Sequence, residues 1–425
     1  MSSIAGNRPF ASLVGAVILL GIADSMVGSY MVLFAADHAQ LTPVQVGLFV
    51  SAPAAGGIIV SALVGRRFDR TPTRGYAIAA AALSALGFVL LTTTTSVLLL
   101  IVIAITLLAT REAAFPQLFA LARVVLGDGR AGQRSAPLLR SGWSLAWALG
   151  PLVGAAMLPR TGFTGIFWAA AAILAVTALT AATVPAPSSV DPSEDEPARS
   201  RRNSPQAATP VRPVVLALLV ISVVLFFLAM FAGSVALPLY LTRGLHQPDT
   251  TVGLLYSACA AVEILAALAL AGLPQRVSQR TLITAAMGAL AAYFAVTVLA
   301  HGMALLLFGQ IVRGIAIAVV GAAGIRYFQD LMNPATGRAT TLFANASTAG
   351  SLLAGVLAGL SVQHFGYATT LLLCGVAALA GAAAFWLATP PRLAYTGTPT
   401  HQHRPEETCE PGNRRSHLSW PTADA

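Results

Sequence analysis

Six ionisable side chains fall inside long apolar stretches of this chain: Asp24, Arg111, Glu112, Arg140, Glu263 and Arg313. An ionised group at the centre of a membrane helix costs about 2.5–3.5 kcal/mol on insertion scales. Such groups therefore mark ion pairs, water-filled chambers or proton paths. The set balances, three acids against three arginines. A carboxyl held in low dielectric can take up and release a proton. Asp24, near the middle of its stretch, is the first candidate proton carrier, with Glu263 and Glu112 as further candidates. Arg111 and Glu112 are neighbours and so lie about 100° apart on a helix. One is expected to face inward and the other to turn to an adjacent helix.

Arg140, Trp143 and Trp147 are spaced i, i+3, i+7, one stripe of a helix. A planar donor fork beside aromatic faces suits a polyhydroxylated ligand: guanidinium N–H groups bind hydroxyls, and rings take the apolar C–H face. Arg111, Gln117 and Asn345 complete the candidate substrate contacts. The competing reading makes the tryptophans an interfacial belt and the amides bonds between helices.

These residues need membrane helices to hold them. Of 425 residues, 56% are hydrophobic and only 10% charged, against about 25% charged in soluble domains. The mean hydropathy is +0.75. Blocks near the roughly 20-residue crossing length recur at 10–35, 43–65, 75–94, 97–122, 135–158, 162–184, 213–241, 250–273, 281–300, 302–328, 338–362 and 367–389. The expected class is an all-α membrane protein of about twelve spans, divided as 1–184, a six-helix bundle; 185–212, a cytoplasmic linker; 213–389, a second six-helix bundle; and 390–425, a disordered cytoplasmic tail.

All 25 basic residues are arginine. Without lysine there is no phosphate-binding loop and no pyridoxal Schiff base. The net charge of +9 lies between apolar blocks rather than on one soluble face, which argues against nucleic acid. Cys259, Cys374 and Cys409 form neither a disulfide framework nor a metal spacing. No cofactor or metal is expected, and no enzyme. With the N-terminus inside, the inner loops collect Arg66, Arg67, Arg70, Arg74, Arg123, Arg130, Arg134, Arg276, Arg280 and Arg338, and the outer loops only Arg160 and Arg243. Both termini are expected in the cytoplasm and the first span is read as a retained helix.

The chain also repeats. Val46-Gly47-Leu48 with Ser51-Ala52 and Ala54-Ala55 matches Val252-Gly253-Leu254 with Ser257-Ala258 and Ala260-Ala261. The same offset sets Arg70 on Arg276 and Arg74 on Arg280, and nearly the same offset sets Gly162-Phe163 on Gly366-Tyr367. Parallel halves of this kind hold substrate between them at mid-membrane.

Gly65 with Asp69, Arg70 and Arg74 resembles the loop motif of the major facilitator superfamily, departing from it at Pro72 and Thr73. Gly150-Pro151 with Gly154 is similar to the core of that superfamily's antiporter motif. A closer resemblance, to the sugar efflux transporters, is carried by Pro116-Gln117-Leu118-Phe119-Ala120-Leu121-Ala122-Arg123, Ser144-Leu145-Ala146-Trp147, Val262-Glu263-Ile264, Phe328-Gln329-Asp330-Leu331-Met332 and Ala339-Thr340-Thr341-Leu342-Phe343-Ala344-Asn345. The resemblance implies a major-facilitator fold of two pseudo-symmetric bundles. It implies export of small sugars or glycosides, in exchange for protons, by a monomer in the cell inner membrane. It sets the first span beside a central cavity and makes Asp69, Arg70 and Arg74 a gating latch, with Gln329 and Asp330 serving likewise beside Arg326 or Arg338. Asp24, Arg111, Glu112 and Arg313 are departures from the family pattern and leave the substrate open. The alternatives are a multidrug/proton antiporter of the same fold and a transport-inactive membrane sensor.

Overall fold

In the computed structural model the described residues are 8–126, 130–185, 212–272, 277–333 and 335–388; the linker 186–211 and the tail from 389 lie outside them. The described residues are helical throughout, with no strand among them. Among the described residues nine helices are long and apolar enough to cross a membrane. Two of these are each broken by a glycine, and the shorter apolar helix Gly75–Leu91 adds another, so the described residues supply twelve candidate crossings. We number them α1 (Arg8–Gly28), α2 (Pro43–Arg70), α3 (Gly75–Leu91), α4 (Val97–Thr106 continuing through Arg111–Leu126), α5 and α6 (Arg130–Ala182, parted at Gly162), α7 (Pro213–Leu239), α8 (Thr250–Ala271), α9 (Gln279–Val298), α10 (Met303–Leu331), and α11 and α12 (Thr336–Ala388, parted at Gly366).

Local chemistry sets several boundaries. Thr42 and Gln45 form a reciprocal capping box, with Pro43 in the first turn of α2. This helix outruns its apolar stretch: Arg66, Arg67, Asp69 and Arg70 complete its last turns rather than forming a loop. Charged residues are good helix formers, and apolarity alone cannot find such an end. Inside α4 the 3-10 turn Leu108–Thr110 interrupts the helix. Thr110 Oγ1 lies 2.7 Å from the Leu107 carbonyl and 3.1 Å from that of Ala80 in α3.

The repeat extends to the backbone itself. After α1 the chain passes through a π-turn, Phe34–His38; after α7 it does so again at Tyr240–Gly244. Gln40 (φ 55) answers His246 (φ 54), at the same offset as the sequence repeat. The kinks answer each other too, Gly162 at φ 63 and Gly366 at φ 78. Both lie in the left-handed region, where a Cβ is penalised.

Each half has an aromatic core. Phe34 packs 4.6 Å from Phe167 in the first, and Tyr293 packs 4.8 Å from Phe294 in the second. The periphery is apolar, with Leu98, Leu179, Leu268 and Leu387 among its exposed residues. That inversion is expected of a surface bathed in lipid.

Where α5 crosses α1, small residues let the backbones close up: a Cβ on Gly150 would lie 2.0 Å from Ser25 Oγ, and one on Gly154 would lie 2.6 Å from the Tyr30 ring. The halves meet along α2–α11 and α5–α8. A Cβ on Gly47 would fall 2.1 Å from the Gly355 carbonyl oxygen, and one on Gly253 would fall 2.2 Å from Tyr30 Oη. These contacts lie toward the end where α1 and α7 finish, the distal end; α2, α4, α8 and α10 finish at the opposite, proximal end.

Candidate functional site

Asp24 sits near the end of α1, one turn before Gly28, and is buried. Its Oδ1 lies 2.8 Å from Nη1 of Arg111, the first residue after the 3-10 turn of α4. The pair is held by charge rather than by a well-directed hydrogen bond, since Oδ1 has no such partner among the described residues. The other guanidinium nitrogen, Nη2, approaches Glu112 Oε1 at 3.4 Å. One long side chain thus touches both carboxylates, although sequence neighbours point apart on a helix: the Arg111 fork crosses to α1 and also folds back on its own helix. Glu112 turns to α2, where a Cβ on Gly57 would meet its Cγ at 2.6 Å.

The aromatic stripe stands next to this group. The Trp143 ring is 4.4 Å from that of Phe115 and 6.3 Å from that of Trp147. It also packs against Gly21, one turn before Asp24, where a Cβ would be 3.2 Å from Cε3. Trp143 is half-buried, whereas Arg140 and Trp147 are exposed on the same helix. Gln117 is buried, with no hydrogen-bond partner for Oε1 among the described residues, and Asn345 is exposed. The structure therefore brings Asp24, Arg111, Glu112 and Trp143 together, and it gives Gln117 no open face.

A second buried cluster occupies the other half. Arg313 donates from Nη2 to Ser234 Oγ at 2.7 Å and from Nη1 to Gln310 Oε1 at 3.4 Å. Its guanidinium carbon stands 5.3 Å from the Tyr256 ring centroid and 5.6 Å from that of Tyr293. No carboxylate lies within ion-pair distance of it among the described residues, so neutral dipoles and aromatic faces carry the charge. Glu263 feels both Arg140 and Arg313 electrostatically, without a direct ion pair to either.

A profile described as Major Facilitator Superfamily matches residues 13–240 and 219–420. The chain belongs to the major facilitator superfamily. Within it the chain falls in the sugar efflux transporter family. A Deinococcus radiodurans protein provisionally named a sugar efflux transporter is 35% identical over 385 residues, 89% of this chain and 98% of that protein. Sugar efflux transporter B of Salmonella typhimurium is 30% identical, with 82% of this chain and 88% of the relative covered. Sugar efflux transporter A of Escherichia coli is 28% identical, with 85% and 91% covered. Among solved structures, a mutant of the nucleoside transporter NupG superposes with a TM-score of 0.75 at 15% identity, covering 89% of this chain and all of that one. That likeness shows the fold. The matched proteins are transporters, not enzymes.

The superfamily's loop motif has distinct fates here. Asp69 and Arg70 are exposed at the end of α2, with no hydrogen-bond or ion-pair partner among the described residues. Arg74 instead donates from Nη1 to the carbonyls of Ala182 at 2.6 Å and Val184 at 2.5 Å, at the end of α6. Its repeat mate Arg280 does the same at the end of α12, donating to the Trp386 carbonyl at 2.9 Å and stacking 3.6 Å over its ring. A cation at a helix C-terminus satisfies orphan carbonyls and opposes the helix dipole. Gln329 donates to Thr340 Oγ1 at 2.9 Å, and Asp330 accepts from Gln279 at 3.2 Å. The arginine partners expected for this pair, Arg326 and Arg338, are replaced by neutral groups. Arg276, the repeat mate of Arg70, lies outside the described residues.

Sequence reasoning missed two features. Gly355 and Gly359 form a G-x-x-x-G face on α11 against α2, a spacing readable in the sequence. The repeat offset also lays Asp37 on Arg243, and those two residues meet.

Proposed function

We propose that this chain exports small sugars or glycosides by alternating access, in exchange for protons, as a monomer in the cell inner membrane with both termini in the cytoplasm. The observation that carries the reading is the Asp24–Arg111–Glu112 group, with Asp24 buried and Glu112 exposed, close to Trp143, in a chain whose curated relatives are named for sugar efflux. Asp24 carries the proton, with Glu112 and Glu263 tuning it. Trp147 and Arg140 offer the exposed face and fork for the ring and hydroxyls of a sugar, and Arg111 and Asn345 are secondary contacts. The distal contacts between the halves fit a state open toward the cytoplasm.

The test is a transport panel in inverted vesicles with an imposed pH gradient, offering labelled sugars, glycosides and drug-like cations. Sugar flux that follows the gradient is the expected outcome. Cation flux alone would make the chain a multidrug antiporter, and no flux for anything would make it a sensor.

The loop acids give a separate expectation. Asp69 lies free at the proximal end, as a latch would when that end is open. Asp69→Asn is therefore expected to lower the maximal transport rate several-fold, at near-constant half-saturation, because an exposed pair is worth up to about 1 kcal/mol. Concentration curves in vesicles check this; equal changes in rate and half-saturation would mean a folding defect.

A further inference from the structure

The closest approaches between the halves along α2–α11 and α5–α8 set glycines against backbone carbonyls, Ser51, Tyr30 and Ala155. Among the described residues, the one ion pair between the halves is that of Arg243 with Asp37. Its Nη2 donates to Asp37 Oδ1 at 2.6 Å and to the Ala36 carbonyl at 3.3 Å, and its Nη1 donates to Tyr367 Oη at 3.3 Å. The two charged residues occupy equivalent places in the repeat, each the fourth residue of the π-turn that ends its helix. The internal symmetry therefore brings them face to face at the distal mouth, where one half supplies the carboxylate and the other the guanidinium. Asp249, at the start of α8, faces the same spot. Burial, and then repulsion from the Asp37 carboxylate, hold its carboxyl above the usual range, and no ion pair joins it to Arg243.

We infer that Asp37 and Arg243 form the distal latch of the transport cycle, an ion pair that closes the mouth in this state and must part whenever the distal end opens. This inference rests on the alternating-access reading, so its test needs no substrate. Ser51, buried one turn below the Gly47–Gly355 contact, reports on opening when replaced by cysteine. The full-length Ser51→Cys protein is treated with a membrane-impermeant maleimide in right-side-out and in inverted vesicles. Labelling of the chain without Ser51→Cys is subtracted to remove the native cysteines.

Asp37→Asn and Arg243→Ala are each expected to raise the labelling rate about two- to fivefold, the range for a partly exposed pair, and in right-side-out vesicles only. The exchanged pair, Asp37→Arg with Arg243→Asp, should return the rate toward that of Ser51→Cys alone. Restoration by exchange also separates a latch from a single variant that folds poorly. Unchanged labelling in both single variants, an exchanged pair as fast as the singles, or an equal rise in both vesicle orientations would each overturn the latch. If labelling responds as expected while the transport panel shows no flux, the latch stands and the substrate reading falls.

Discussion

Asp24→Asn is expected to abolish sugar efflux driven by a pH gradient, at least tenfold below the parent, while exchange of labelled for unlabelled sugar across the membrane persists. The amide keeps the size and shape of the carboxyl but cannot carry a proton, so packing against α4 and α5 survives. Removing one partner of a buried pair costs about 3–5 kcal/mol when the remaining charge is stranded. Here Arg111 retains Glu112 at 3.4 Å, which places the folding cost at or below the low end of that range. Loss of gradient coupling with retained exchange separates a proton carrier from a structural ion pair, and comparing the two vesicle assays checks it. A variant that kept full coupling would remove Asp24 from the mechanism.

Gly355→Val is expected to eliminate transport in either direction while the protein still reaches the membrane. The first carbon of any side chain at Gly355 would lie 2.2 Å from Ser51 Oγ and 2.5 Å from the Gly47 carbonyl oxygen. Neither the serine stem nor the backbone can retreat far within packed helices, and overpacking of a tight contact costs roughly 1–3 kcal/mol or more. Folding within each half does not depend on this contact, because α11 meets α2 across the boundary between halves. The penalty falls on one state of the cycle, the one in which the distal end is shut. Surface expression measured alongside flux checks the distinction: loss of both would mean that the seam is needed for folding as well.

Much of this architecture can be read from residue patterns. The apolar blocks give the helices because a bilayer demands a fixed length, and the linker and tail stand apart by composition. Where helices outrun or break within their apolar stretches, the pattern fails for physical reasons. The end of α2 is charged yet helical, and the break in α4 depends on Thr110 bonding to a carbonyl of α3, a contact that no local window contains. The Asp24–Arg111 pair illustrates both limits. Its members stand out because charge in oil is costly, but which acid meets which arginine depends on how far α4 approaches α1. Arg74 shows the reverse: its position in a recognisable loop motif suggested a gate, whereas its guanidinium is occupied by the carbonyls at the end of α6.

The single-residue corners at Gly162 and Gly366 carry a mechanical implication. A tether of several residues would let α5 tilt without α6, and α11 without α12. One glycine makes a short link, so each seam helix stays joined to its outer neighbour like the two arms of a tuning fork. A displacement begun at the seam is either absorbed by the torsions of that one residue or handed on to the outer arm, where the surrounding bilayer resists it.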